Sequence, residues 1–225
     1  MEPVPSARGA RPLPRLIALS PGDLEARPRE RFLADLEAAL AAGLPALLLR
    51  EPRLDERAFL ELAGHVRARL QAAGSPWFAV HDRAHLALEL GADAVHLSFR
   101  SLRPPELAPW IGPRLAIGLS THADDDPATW HGADYLFHGP LRDTPSKRGR
   151  LAPIGIAGLE RALARTSIPI LALGGVRPED VAPVLAAGAH GVAVLGGIFA
   201  AADAAAATRA YVARLAEAKV ERPAG

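Results

Sequence analysis

Residues 168–198, IPILALGGVRPEDVAPVLAAGAHGVAVLGGI, contain a complete unit of strand, helix and strand. The apolar run 168–173 predicts a buried strand, because parallel strands that are covered on both faces are apolar throughout. Residues 177–188 have apolar side chains three and four apart and end in Gly188, as a helix commonly does. The apolar run 191–195 then predicts a second strand, parallel to the first because a helix connects the two.

The same unit repeats along the whole chain. Eight apolar runs predict strands, at 16–19, 46–49, 77–81, 94–97, 115–119, 135–138, 168–173 and 191–195. Eight strands that alternate with helices predict an α/β fold, a single (β/α)8 TIM barrel. An open doubly wound sheet is the alternative, but such a sheet rarely has eight evenly spaced units. We expect the barrel to span residues 15–219, after a flexible leader at 1–14 and before a tail at 220–225.

The composition excludes several classes of function. The 225 residues carry a formal net charge of +1 with acids and bases interspersed, so neither nucleic acid nor a membrane is expected as a partner. The absence of cysteine excludes disulfides, thiolate catalysis and thiolate metal sites. No apolar run is long enough for a membrane span and no signal peptide is recognisable, so we expect a cytoplasmic protein. A small molecule is the expected partner, and the apolar helices would allow a homodimer.

The ends of the predicted strands carry candidate anion-binding groups. In a TIM barrel the active site lies at the carboxyl ends of the strands. Arg50 follows the run PALLL, and the alternation of side chains places it on the interior face with Leu48. We expect Arg50 to bind an anion, with a surface ion pair as the alternative. Two glycine pairs follow strands seven and eight, namely Gly174, Gly175, Gly196 and Gly197. They predict a site for a phosphate ester, because glycine lets backbone N–H groups approach a ligand, with tight turns as the alternative.

Three histidines at strand ends are candidates for proton transfer, because histidine titrates near neutral pH. They are His81, His122 and His138. In the sixth strand we expect His138 to face the barrel interior and Tyr135 and Phe137 to face the helices.

Six stretches of the sequence resemble a known superfamily in their order and spacing. They are LLLREP, HDRAHLALELGADAVHL, GLSTH, ADYLFHGPLRDTPSK, PIGIAGL and the 168–198 stretch. Together they resemble the thiamine phosphate synthase and thiazole tautomerase superfamily. The resemblance implies substrate-binding roles for Asp82 and Ser120, and for Thr144, Ser146 and Lys147 in a long basic loop that would suit an anionic substrate.

Synthases of this superfamily join a pyrimidine methyl pyrophosphate to a thiazole phosphate with the help of Mg²⁺. The resemblance implies glutamine, arginine and lysine at alternate positions of the second strand, where this chain has Leu48, Arg50 and Pro52. It also implies two magnesium carboxylates, where this chain has Asp82 and Ser101. Because Mg²⁺ binds hard oxygen ligands, usually with one or two carboxylates, these losses favour a reaction without a metal. Mg²⁺ would be the cofactor, with Asp82 as its ligand, only in a synthase.

The tautomerases of the superfamily need no metal and move a proton on a thiazole carboxylate phosphate. They carry an arginine–serine pair that resembles Arg100 and Ser101. We therefore expect a tautomerase-like enzyme with no cofactor, in which His138 or His81 transfers the proton, because the usual histidine corresponds to Pro140. Two alternatives stay open. One is a synthase with a remodelled magnesium and pyrophosphate site, and the other is a non-catalytic regulator that binds a phosphate ligand.

Overall fold

The structure of the protein is a computed structural model that describes residues 11–143 and 152–220. Within these ranges eight parallel strands pair in chain order, and the first strand also pairs with the eighth, so the sheet is a closed barrel. The strands are β1 (Leu16–Leu19), β2 (Ala46–Leu49), β3 (Trp77–His81), β4 (Ala94–Leu97), β5 (Ala116–Thr121), β6 (Tyr135–His138), β7 (Ile170–Leu173) and β8 (Gly191–Val194). The prediction of a (β/α)8 barrel is confirmed.

Helices surround the barrel. They are α1 (Arg29–Ala41), α2 (Glu56–Ala72), α3 (Ala84–Glu89), α4 (Pro104–Ile111), α5 (Gly155–Leu163), α6 (Val181–Ala186), α7 (Gly196–Phe199) and α8 (Ala204–Val220). Short 3₁₀ helices lie at Gly112–Arg114, Pro127–Trp130 and Pro178–Asp180. Helices α1 to α6 connect successive strands except β5 and β6, which a 3₁₀ helix joins, and α7 and α8 follow β8. No helix in the described part of the chain is both long and apolar enough to cross a bilayer.

The core has two layers because side chains alternate along each strand. One layer fills the barrel and includes Leu48, Trp77, Tyr135 and Phe137. The other lies between the sheet and the helices and joins apolar residues of every strand to the buried faces of the helices. At the carboxyl end of each strand, the side chains that face the interior therefore line the mouth of the barrel.

The predicted orientation of β6 is wrong. Tyr135 and Phe137 face the barrel interior, whereas Leu136 belongs to the outer layer. The large rings fit inside because other strands contribute small residues there, among them Ala79 of β3, Ala94 of β4 and Gly118 of the adjacent β5, where a Cβ atom would collide with the Tyr135 ring. His138 consequently belongs to the outer layer as well, where its ring packs edge-on against Trp130.

Candidate active site

Arg50 lies at the carboxyl end of β2, packed against the loop that follows β1. Its backbone N–H donates to Ser20 Oγ over 2.8 Å. A Cβ atom at Gly22 would lie 2.6 Å from Arg50 Nη1, so only glycine leaves room for the guanidinium in this position. The side chain is partly buried, and its charge helps to lower the pKa of His81 and of His96. Arg50 therefore places a cation beside the interior of the barrel mouth.

Glu51 holds the loop against which Arg50 packs. Its carboxylate is 1% exposed and accepts the backbone N–H groups of Gly22 and Leu24, each over 2.9 Å. Burial raises the pKa of this carboxyl above its ordinary value, although the two N–H donors act in the opposite direction. The backbone carbonyl of Glu51 accepts from Arg83 Nη1 over 3.1 Å. One residue thus connects the loop after β1 to the loop after β3.

Two histidines form a polar floor inside the barrel. His81 and His96 are register partners on β3 and β4, and their stacked rings have centroids 6.2 Å apart. His96 Nε2 lies 2.9 Å from Ser120 Oγ, and His96 Nδ1 lies 3.3 Å from Tyr135 Oη. Burial lowers the pKa of His81 to about 4, assisted by the charges of Arg50 and Arg83 and opposed by Asp82, and burial also lowers the pKa of His96. Both rings are therefore neutral at physiological pH.

Asp82 follows directly after β3 and is surrounded by hydrogen-bond donors. Oδ1 accepts from Ser98 N over 2.7 Å and from Ser101 Oγ. Oδ2 accepts from Ser98 Oγ over 2.8 Å and lies 3.2 Å from His81 Nδ1. Ser101, which replaces the second magnesium carboxylate implied by the sequence resemblance, therefore contacts the first one.

This donor set does not fit Mg²⁺. The metal prefers hard oxygens in near-ideal octahedral geometry, usually with one or two carboxylates and phosphates. A carboxylate offers about four acceptor positions, and three hydrogen bonds from Ser98 and Ser101 already occupy most of those on Asp82. No group of three or more His, Asp or Glu side chains that could hold a metal occurs within residues 11–143 and 152–220.

The two glycine pairs lie side by side at the ends of β7 and β8, which pair with each other. Gly174 and Gly197 also have packing roles, because a Cβ atom would collide with Pro140 at the first position and with Tyr211 at the second. Gly175 is exposed with φ +67°, and a Cβ at Gly196 would meet nothing closer than 3.9 Å. Gly175, Gly196 and Gly197 are exposed and Gly174 is half-buried, and at Gly196 the backbone also has room for a Cβ atom.

His138 and His122 lie near each other but away from the interior floor. His138 Nδ1 lies 2.9 Å from Thr121 Oγ1, and its side chain is buried in the outer layer. Burial, followed by the charge of nearby His122, lowers the pKa of His138 to about 4. The backbone N–H of His122 donates to Asp125 Oδ2 over 2.7 Å. Catalytic roles for both histidines stay predictions, and the outward position of His138 disfavours one for it.

The predicted substrate contacts Thr144, Ser146 and Lys147 lie outside the described residues. The segment that leads to them is fixed beside the glycine pairs. Arg142 N donates to Gly174 O over 2.9 Å, and Arg142 Nε donates to Asp180 Oδ2 over 2.8 Å. Burial of Asp180 would raise the pKa of its carboxyl, but the hydrogen bonds from Arg142 and Arg177 prevail and lower it.

The arrangement of strand ends agrees with comparisons to known proteins. A sequence model of the family described as thiamine monophosphate synthase matches residues 18–198, most of the barrel. The chain belongs to the thiamine monophosphate synthase family. The superfamily expected from the sequence motifs is therefore confirmed.

Relatives of this thiamine monophosphate synthase family member are named as synthases. The chain is 40% identical over 173 residues to a thiamine-phosphate synthase of Moorella thermoacetica, covering 76% of this chain and 82% of the relative. It is 38% identical over 174 residues to that of Laribacter hongkongensis, covering 77% and 82%. A solved thiamine phosphate pyrophosphorylase from Pyrococcus furiosus is 27% identical with a TM-score of 0.75, covering 91% of this chain and 96% of that one. These names do not support the expected preference for a tautomerase.

Sequence reasoning brought Arg50, Asp82 and Ser120 to the correct end of the barrel but missed their supports. Glu51 follows Arg50 and by strand alternation should point away from the interior. Its carboxylate instead accepts hydrogen bonds from the loop after β1, and no sequence pattern near Glu51 predicts that contact. Gly22 carried a weak signal, since it stands in the sequence SPGD directly after a predicted strand.

Proposed function

We propose that the chain is a thiamine-phosphate synthase, a transferase that joins hydroxymethylpyrimidine pyrophosphate to thiazole phosphate. The observation that carries the proposal is the 40% identity to the synthase of Moorella thermoacetica over most of both chains. The position of His138 supports it indirectly. The tautomerase interpretation assigned proton transfer to His138 or His81, and the ring of His138 is in the outer layer.

In the proposed reaction the bond from the pyrimidine methylene to the diphosphate oxygen breaks, and a bond from that methylene to the thiazole nitrogen forms. Arg50 would bind an anionic group and stabilise charge that develops on the diphosphate leaving group. The neutral ring of His81 would form a floor that can hydrogen-bond an uncharged heterocycle, with the buried ring of His96 stacked beside it. The open backbone at Gly175 and Gly196 would accept the phosphate of the thiazole.

The direct test incubates the purified protein with both phosphorylated substrates and measures thiamine phosphate by chromatography. We expect product, and we expect Arg50→Ala to reduce kcat/KM by ~10²–10³, the usual effect of removing one preorganised electrostatic contact. Arg57→Ala is the matched control, because that arginine is 91% exposed on α2 and pairs only with Glu61 in the described contacts. Absence of product under all metal conditions would refute the proposal.

A tautomerase is the second candidate, and one observation favours it. Ser101 stands where the resemblance implies the second carboxylate, while His81 faces the interior and could exchange a proton with a ligand. Isomerisation of thiazole carboxylate phosphate, followed by NMR and lost in His81→Asn, would establish this reaction. Binding of the phosphorylated thiazole without either reaction would instead support a regulator.

A further inference from the structure

Asp82 has an unusual backbone conformation and a side chain that accepts three hydrogen bonds. Its φ of +61° lies in the left-handed region, which Asp tolerates better than most residues. Its backbone N–H donates to His96 O over 3.0 Å. The carboxylate then reaches across to residues 98–101, where it accepts from Ser98 N, Ser98 Oγ and Ser101 Oγ. Asp82 therefore links the end of β3 to the loop after β4 through backbone and side chain together.

We infer that Asp82 is a positioning residue that holds the loop of residues 98–101 in place, and that Ser101 closes this carboxylate to divalent cations. The inference rests on the proposed function only because that function makes a cation relevant. A free carboxylate would leave all its lone pairs for a metal, but here Asp82 Oδ1 accepts from Ser98 N and Ser101 Oγ, and Oδ2 accepts from Ser98 Oγ.

The surrounding charges also oppose a cation. The charges of Arg50 and Arg83 both lower the pKa of His81, whose Nδ1 lies 3.2 Å from Asp82 Oδ2, so both guanidinium groups act on the neighbourhood of this carboxylate. Arg83 is fixed there, since it donates to backbone carbonyls of Glu51 and Leu54. A single carboxylate that already accepts three hydrogen bonds does not offset two positive charges, so we expect metal binding to need a second acidic group.

The substitution Ser101→Asp provides that group. It removes the hydroxyl that donates to Asp82 Oδ1 and adds a second carboxylate next to the first, which together give the hard-oxygen environment that Mg²⁺ and Mn²⁺ require. Ser167→Asp is the matched control, because Ser167 is exposed and precedes β7 at the opposite end of the barrel.

The first experiment titrates the whole protein with Mn²⁺, without substrate, and measures free Mn²⁺ by EPR. We expect no stoichiometric binding up to ~1 mM for the wild type and for Ser167→Asp, and one bound ion with at least about tenfold tighter binding for Ser101→Asp. Stoichiometric binding by the wild type that disappears in Asp82→Ala would overturn the inference. Failure of Ser101→Asp to bind Mn²⁺ would also contradict it.

The second experiment measures thermal unfolding in EDTA, where a residue that serves only as a metal ligand has no effect. Asp82→Ala leaves three donors of residues 98–101 without their acceptor, and we expect the melting temperature to fall by about 5–10 °C. Ser75→Ala controls for backbone strain, because Ser75 also has a positive φ, +57°, and is exposed. Equal melting temperatures for wild type and Asp82→Ala would refute the positioning role. Neither experiment depends on turnover, so a chain that makes no thiamine phosphate would leave both results interpretable.

Discussion

Replacing Gly22 with alanine tests whether the loop after β1 sets the position of Arg50. Gly22 has φ +87°, and its missing side chain leaves the space that Arg50 Nη1 occupies. Gly43 offers a matched control, since it has φ +91° and a Cβ atom there would meet nothing within 4 Å. Both substitutions impose the same kind of backbone strain, but only the one at Gly22 displaces a guanidinium.

The expected magnitudes separate strain from function. An alanine at either position adopts a left-handed conformation at a cost of ~1–2 kcal/mol in the free energy of unfolding. At Gly22 the added Cβ would lie 2.6 Å from Arg50 Nη1, so the guanidinium has to move by several tenths of an ångström or more. If that shift breaks one charge-assisted hydrogen bond to an anion, worth ~1.5–3 kcal/mol, the affinity for pyrophosphate falls about 10- to 100-fold.

Isothermal titration with inorganic pyrophosphate measures the affinity, and urea denaturation measures the stability. We expect Gly22→Ala and Gly43→Ala to lose similar stability, while only Gly22→Ala loses affinity. In an Arg50→Ala background, Gly22→Ala should change the affinity no further, because the group it displaces is absent. Equal pyrophosphate affinities for the two glycine variants would show that Gly22 does not control Arg50.

Three other predictions concern stability. Lowering the pH from 7 to 5 should reduce the free energy of unfolding by about 2 kcal/mol for each of His81 and His138. In the folded protein the pKa of each histidine is about 4, so both rings stay neutral at pH 5. In the unfolded chain the same histidines take up protons below about pH 6.5, which stabilises the unfolded state. Urea denaturation of His138→Asn should show a correspondingly weaker pH dependence, and an unchanged dependence would contradict the outer-layer burial. Glu51→Ala should cost ~1–3 kcal/mol for each backbone N–H left without an acceptor, measured in the same way at pH 7. Gly197→Ala should cost ~1–3 kcal/mol by overpacking against α8, whereas Gly196→Ala, where a Cβ has room, should unfold close to the wild type in a calorimetric scan.

The fold could be predicted from the sequence because each strand is a short apolar run, and polar loops and helices separate one run from the next. Five of the eight predicted strands have the observed bounds. The predicted start at residue 168 was two residues early, since Pro169 has no N–H for the ladder and the strand begins at Ile170. β5 extends to Thr121, two residues beyond the predicted end. The prediction stopped at residue 119 because Ser120 and Thr121, which lie near the barrel mouth, are polar.

The site could be predicted only where alternation along a strand was unambiguous. In β2 the residue that faces the interior is Leu48. In β3 and β4 the small residues Ala79 and Ala94 face the interior. In β6 every residue is large, so the sequence YLFH does not reveal which pair faces inward. Which pair of β6 side chains faces inward depends on how much interior space the other strands leave. That space is a property of the closed barrel and cannot be read from the four residues of β6. Contacts such as the one from Glu51 to the loop after β1 are likewise created by closure.

The proline at position 52 can be understood from the contacts around it. The resemblance implies a lysine there, and Pro52 removes that charge. It also comes directly after Glu51. The carboxylate of Glu51 accepts from the loop that follows β1, and its backbone carbonyl accepts from Arg83. Proline fixes its own φ and restricts the residue before it to extended conformations, the geometry in which Glu51 can reach both partners. Compared with the lysine that the resemblance implies, this chain has a rigid residue next to Glu51, so under the proposed function we expect anion binding to depend more strongly on the position of Arg50.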